Sequence, residues 1–392
     1  MINSALERCH ALLRGMDLRP KEPSIRPVRR VAVGDPQTTA ARFFAVLEAR
    51  GLLGDDGWLR PDVQLVSMGD HFDFKVGADL AQATRIQDEA GRSILNWLAA
   101  HPPTQVEILV GNHDIMRVQE LYRITDEDFM AARQLAQQHQ GDEATGDSAV
   151  RRVSRALAED LPTASMLIKD CAGFTTAQRT LVSRMLRVGR MKLATSAVRS
   201  GQPVLLTHAA VTTVEASVLA GRDSPLPRDR SGRVAWFVER LNGALRAAIR
   251  GWRDGPLDLR PLHVSGTPGL EGGGLLFHRP AHPIAKRFEP EVRRRFHPAT
   301  LPSNLAQVCA HVQDDKCRAE LGDWVREGSA AAGGMIRTLT RRHGKISYDL
   351  GVDVDLDHTG DRTAAALVFV DGSMNTVDPE HFEVLELQPE AP

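Results

Sequence analysis

In this 392-residue chain, carboxylates, an amide and imidazoles recur at the ends of short apolar runs. Asp35 closes VRRVAVGD (28–35), with Gln37 just beyond it. Asp70 closes VQLVSMGD (63–70) and is followed by Asp73. Asn112, His113 and Asp114 close VEILVGNHD (106–114), His208 lies at the end of PVLLTHA (203–209), and His311 at the end of LAQVCAHV (305–312). A donor set that mixes carboxylate, amide oxygen and imidazole suits Mn, Fe or Zn, whereas Mg or Ca is usually held by oxygen alone. The inventory is about what two neighbouring divalent ions sharing one carboxylate require. Two such ions would lower the pKa of a water between them and so supply hydroxide near neutral pH.

The elements that position these residues read as alternating strands and helices. Between the first three runs lie the apolar-periodic segments RFFAVLEARGLL and Ala78 to Leu98. That alternation predicts βαβ units and a largely parallel sheet, with ligands bound at the carboxyl ends of the strands. Residues 1–28 read as a helix followed by a Pro-rich extended arm (Pro20, Pro23, Pro27), and 29–392 as the main domain. Within it, 118–200 and 212–260 read as helical insertions forming a cap or lid, GGLLFHRP (273–280) as a further strand, and 334–387 as an antiparallel β meander that completes a second sheet. Asp353, Asp355 and Asp357 lie in GVDVDLDH, which lacks the Gly and Glu of a calcium loop and reads as alternating charge on a strand face.

The ordered set GD-x-[HQ], GD-x-x-D, GNH-[DE], H and a late H resembles the calcineurin-like metallophosphoesterases, and QVCAHVQ looks nearest to their Ser/Thr protein phosphatase-like branch. The matched motifs span 34 to 313. The resemblance implies an α/β fold, a four-layer α/β/β/α sandwich of two mixed β-sheets with helical insertions. It implies that Asp35 and Gln37 bind the first metal, that Asp70 bridges both, and that Asn112, His208 and His311 bind the second. His113 would be the catalytic histidine beside the substrate, oriented by Asp73. Gln37 stands where the family usually has histidine, which is expected to weaken or alter the first site. The arginine often found soon after GD-x-x-D is absent; Phe74 and Lys75 follow instead. Arg117, Arg279 or Lys75 is then expected to supply the phosphate-binding cation, and His278 with Arg279 to line the substrate pocket. His71 is expected to support the site, the alternative being an extra ligand.

The activity implied is hydrolysis of phosphate monoesters, of small molecules or phosphoproteins, with two divalent metal ions (Mn, Fe or Zn, Mn being the first choice in vitro). Two alternatives remain: a phosphodiesterase or dinucleoside polyphosphate hydrolase, and a catalytically weak metal- or phosphate-binding interaction protein. With 49 basic and 50 acidic residues the net charge is −1, so neither nucleic acid nor a membrane is expected as a partner. Local clusters at Arg26/Arg29/Arg30 and Arg293/Arg294/Arg295 read as solvated surface. Four scattered cysteines (Cys9, Cys171, Cys309, Cys317) without C-x-x-C spacing, and no apolar run long enough to span a bilayer, point to the cytoplasm.

Overall fold

Apolar runs of four to six residues become the central sheet strands, and in chain order the elements are as follows. The first half holds β1 (Arg29–Val33), α1 (Ala40–Ala49), β2 (Val63–Ser67), α2 (Leu80–Ala100), β3 (Val106–Leu109), α3 (Asn112–Ile115), α4 (Asp126–Gln138), α5 (Glu143–Leu157), α6 (Ala164–Lys169), α7 (Thr176–Arg187), β4 (Met191–Lys192), β5 (Ala194–Arg199) and β6 (Gln202–Thr207). The second half holds α8 (Thr213–Ala220), α9 (Arg230–Gly251), β7 (His263–Val264), β8 (Gly273–Gly274), β9 (Arg279–Pro280), β10 (Arg295–Phe296), β11 (Leu305–Cys309), α10 (Asp314–Leu321), β12 (Arg337–Arg342), β13 (Lys345–Leu350), β14 (Ala365–Phe369) and β15 (Leu385–Leu387). The computed structural model describes residues 7–9, 27–139, 142–157, 163–221, 225–266, 272–283, 294–328, 333–357 and 360–389.

The architecture is α/β with mixed sheets. One sheet has the order β15-β1-β2-β3-β4, in which β1 to β4 are parallel and β15 runs antiparallel beside β1. The other has the order β13-β12-β14-β11-β6-β5, in which β6, β11 and β14 are parallel. Strands buried on both faces read as continuous apolar runs, which is why RRVAV and AALVF carry no polar alternation. Val31, Val33, Leu65 and Ile108 pack against Phe43, Phe44 and Leu47 of α1 and Ile94, Trp97 and Leu98 of α2. The opposite face of that sheet, through Ala32, Val66 and Leu109, packs against Val204, Leu206, Ala306, Val308 and Val368 of the second sheet. Both helices start on side-chain caps: Thr39 accepts from the Arg42 N–H, and Asp79 from the Gln82 N–H.

Several expectations change. Residues 118–200 are mostly helical, but β4 and β5 close the range and join the edges of the two sheets. β4 is two residues long and β5 is only partly buried, so neither stands out from its neighbours in sequence. Within 212–260, α9 is not a lid. It lies against β5 and β6, and the Asn242 side chain is bonded to the backbone of Leu193 and Ala194. The helices α4 to α6 share an apolar cluster of their own, through Phe129, Val150 and Leu167, joined by Phe174 of the following loop. The C-terminal segment is not a plain meander: β14 runs parallel to β11, and β15 crosses to the first sheet. GGLLFHRP is a turn between two-residue strands, not one strand.

Residues 351–357 lie outside any strand, where Arg342 bonds Asp353 and Arg230 bonds Asp357. Of the basic clusters, Arg30 and Arg294 are buried; Arg30 pairs with Glu107, and Arg294 lies over the Phe277 ring. Residues 7–9 are helical, and the rest of the expected N-terminal helix and arm, up to residue 26, lies outside the described residues.

Candidate metal centre

Three parallel strands of the first sheet end together. Asp35 stands two residues past β1, Asp70 three past β2, and Asn112 three past β3, at the start of α3. Three parallel strands of the second sheet end opposite them, with His208 directly after β6, His311 two residues past β11, and Asp371 two past β14. All six residues are buried. Donor atoms of Asp70, His208 and His311 lie within 4.8 Å of one another, a spacing that one metal ion bridges. Asp70 and His311 hold positive φ (58° and 64°), as does Asp73 (69°). Non-glycine residues in that region cost about 1–3 kcal/mol each and persist where surrounding structure over-determines them. Gly111 permits the close approach of the loops after β2 and β3, because a Cβ there would lie 2.0 Å from Asp70 Oδ1.

The donor chemistry fits divalent cations. His208 Nδ1 lies 2.9 Å from the Met68 carbonyl, which can only accept, so Nδ1 carries the proton. Nε2 then presents a lone pair to Asn112 Oδ1 at 3.1 Å and Asp70 Oδ2 at 3.4 Å. Three acceptors facing one another need either a proton or a cation between them, and fixing imidazole by a backbone carbonyl is how metal-ligating histidines are oriented. Burial opposes protonation of His208, while the Asp70 charge outweighs it and raises its pKa. Burial, together with the charge of Arg279, pushes His311 down, so that imidazole stays neutral. The backbone N–H of His311 donates to Asp35. Burial and the neighbouring charges of Asp371 and Asp70 raise the Asp35 carboxyl well above its ordinary value. Among the described residues, no lysine or arginine lies within ion-pair distance of Asp35, Asp70 or Asp371.

His113 and Asp73 form a dyad at the wall of the cleft, with His113 Nδ1 lying 3.0 Å from Asp73 Oδ2. Burial disfavours a charged His113, but Asp70 and Asp73 outweigh that and hold its pKa at about 9. Burial likewise acts against an ionised Asp73, yet the Arg117 guanidinium and His113 hold it well below the usual carboxylate range. Arg117 is fully buried beneath the dyad, bonded to the Asp73 carboxylate, the His113 and Gly173 carbonyls and the Gln178 side chain, and lies over the Phe72 ring. It therefore positions Asp73 and has no surface for phosphate, contrary to the expectation from sequence. Asp114 ties two loops together by accepting the backbone N–H groups of Asp70, His71 and Gly111.

The strand ends border a cavity of about 550 Å³. Gln37 borders it, with Nε2 donating to the Phe72 carbonyl (2.9 Å), which leaves the amide oxygen as the atom not used in that bond. Arg279 also lines the cavity and its Nε donates to His311 Nε2 (3.3 Å); Lys75 lines it as well. His278 does not line it: its Nδ1 is bonded to the Ala210 carbonyl. His71 is buried between Ser67 and Asp114, a support for the loops and not a ligand. Asp371 was missed in sequence because Asp371-Gly372 reads as a turn; the apolar run AAALVFV before it carries the same signature as the other strand ends. No known protein-family model matches this chain. No curated protein matches it either.

Proposed function

We propose that the protein is a dinuclear metal-dependent phosphoesterase acting on phosphate monoesters, of the metallophosphoesterase type that its motifs resemble. The observation that carries this reading is the meeting of Asp70, His208 and His311, from three separate strands, with donor atoms within 4.8 Å. On this reading the two sheets and their flanking helices form the four-layer α/β/β/α sandwich. Asp35, Gln37 and Asp70 would hold one cation, and Asp70, Asn112, His208 and His311 the other, with Mn, Fe or Zn matching the donors. When bound, the cations neutralise the phosphate and make a water acidic enough to supply hydroxide near neutral pH.

The chain's own groups do the rest. His113, held by Asp73, offers Nε2 to the phosphate oxygens and donates its proton to the leaving alkoxide. Asp73 fixes which ring nitrogen faces the cleft, and Arg117 fixes Asp73. Arg279, which lines the cavity, would supply the guanidinium that binds phosphate oxygens. The four cysteines are free, in keeping with the reducing cytoplasm expected for this chain, and no helix among the described residues is long and apolar enough to cross a membrane.

The test is hydrolysis of p-nitrophenyl phosphate with Mn²⁺, measured alongside Asp70→Asn and His208→Ala. Chelator-sensitive turnover by the wild type, falling to background in both variants, is expected. Full turnover in both variants would refute the assignment.

A further inference from the structure

The first cation site has one donor fewer than its partner and carries a neutral amide where an imidazole is usual. The structure brings another carboxylate to the same place. Residues 34–35 and 370–371 belong to the ends of β1 and β14, in different sheets, yet they abut: a Cβ on Gly34 would lie 2.0 Å from the Val370 carbonyl oxygen and 2.9 Å from the Asp371 nitrogen. Asp371 is 3% exposed and lines the cavity together with Asp35, Gln37 and Asp70. Its Oδ1 accepts from the Ser373 N–H (3.0 Å), and its Oδ2 has no hydrogen-bond partner among the described residues. No lysine, arginine or histidine among those residues is within ion-pair distance of it. Buried carboxylates are paired or coordinate metals; here Asp35 and Asp371 line one cavity, and Arg337 and Lys316 act on Asp371 only from beyond ion-pair distance.

We infer that Asp371 is a metal ligand, giving its carboxylate to the cation held by Asp35 and Asp70 and filling the position that Gln37 leaves weak. The inference rests on the proposed dinuclear site. It completes a symmetrical arrangement in which each of the three central parallel strands of either sheet contributes one ligand: β1, β2 and β3 from one side, β6, β11 and β14 from the other. It also assigns the first site a harder, more anionic donor set, which favours Mn over Zn there.

The test is Mn²⁺ binding to the metal-stripped full chain, by calorimetry and by elemental analysis after gel filtration, with no turnover assay involved. Wild type is expected to take two equivalents. Asp371→Asn, which keeps the shape and the Ser373 contact, should lose the second equivalent or bind it more than ~100-fold more weakly, beyond the roughly 10–100-fold that outer partners of a ligand are worth. Adding Gln37→His to Asp371→Asn should restore it. Without metal, Asp371→Asn should melt at or above wild type, because a buried charge beside Asp35 has been removed. A variant that binds two equivalents as tightly as wild type overturns the assignment of Asp371 and leaves the dinuclear reading intact. So does one that melts below wild type without metal or fails to fold. Wild type taking fewer than two equivalents at saturating Mn²⁺ overturns the dinuclear reading and this inference with it.

Discussion

Two regions of the molecule bury histidine completely, and they do so in opposite ways. Behind the first sheet, His101 sits between the Trp58 and Trp97 rings, with Nδ1 donating to the Trp97 carbonyl (2.8 Å) and Nε2 accepting from the Leu59 N–H (3.0 Å). Both nitrogens are satisfied by backbone, and the ring is a neutral part of the core. At the strand ends, His208 has one nitrogen satisfied by backbone while the other faces an amide oxygen and a carboxylate. Burial is equal in the two places, so burial does not mark a site. What marks it is a set of acceptors aimed at one another that the chain leaves for something else to complete.

The largest effect that sharpens this contrast is at His113. Replacing it with Asn keeps the ring position polar but removes the proton donor, and general acids typically contribute about 10²–10⁴-fold. We expect kcat toward p-nitrophenyl phosphate to fall by that order while the urea midpoint stays within error of wild type. If His113→Asn instead unfolded the protein and left the residual turnover per folded molecule unchanged, the dyad would belong with His101, to the core.

Arg117 breaks the comparison from the other side. It lies next to the cleft, yet all its described contacts are internal, as at His101. Removing one partner of a buried ion pair leaves the other charge uncompensated, at about 3–5 kcal/mol. Arg117→Ala is therefore expected to lower stability in chemical denaturation by that order and to weaken phosphate affinity little. A large rise in KM at unchanged stability would return Arg117 to the substrate and contradict its placement beneath Asp73.

How much of this was legible in the sequence follows from the same distinction. Asp35, Asp70, Asn112, His208 and His311 each end an apolar run, and a strand end is a local feature, so their convergence is legible in the sequence itself. The dyad was readable from GD-x-x-D and GNH by resemblance alone. Arg117 was misplaced because its role depends on Asp73, Gly173 and Gln178, which are distant in sequence, and nothing local separates a buried arginine from an exposed one. Asp371 was passed over because Asp-Gly is a strong turn signal, and here the turn is itself the strand-end loop that carries the carboxylate. The strands β4 and β5 were hidden in a helical stretch because an edge strand that is only partly buried leaves a weak pattern. The burial of Arg30 was missed because its partner, Glu107, sits on β3, 77 residues on. For Arg117 and Arg30 the deciding contact is long-range, whereas for Asp371 and the edge strands the local pattern itself points elsewhere.

The smallest effect concerns His101 itself and tests whether it is the inert member of the pair. Burial, together with the charge of Arg190, lowers its pKa from 6.5 to about 4 in the folded chain, against the raising effect of the Trp97 carbonyl. The unfolded chain therefore takes up the proton first as pH falls. Stability from neutral His101 is fully present above pH 6.5 and is lost between there and about pH 4. At about 1.4 kcal/mol per pH unit, the loss between pH 7 and 5 is on the order of 2 kcal/mol. His101→Gln cannot titrate, and its side-chain oxygen can still accept from the Leu59 N–H. Its urea midpoint should therefore fall less than that of wild type over the same interval, even if it starts lower. Parallel pH profiles for the two proteins would mean that His101 already carries a proton in the folded state, and the contrast with His208 would disappear.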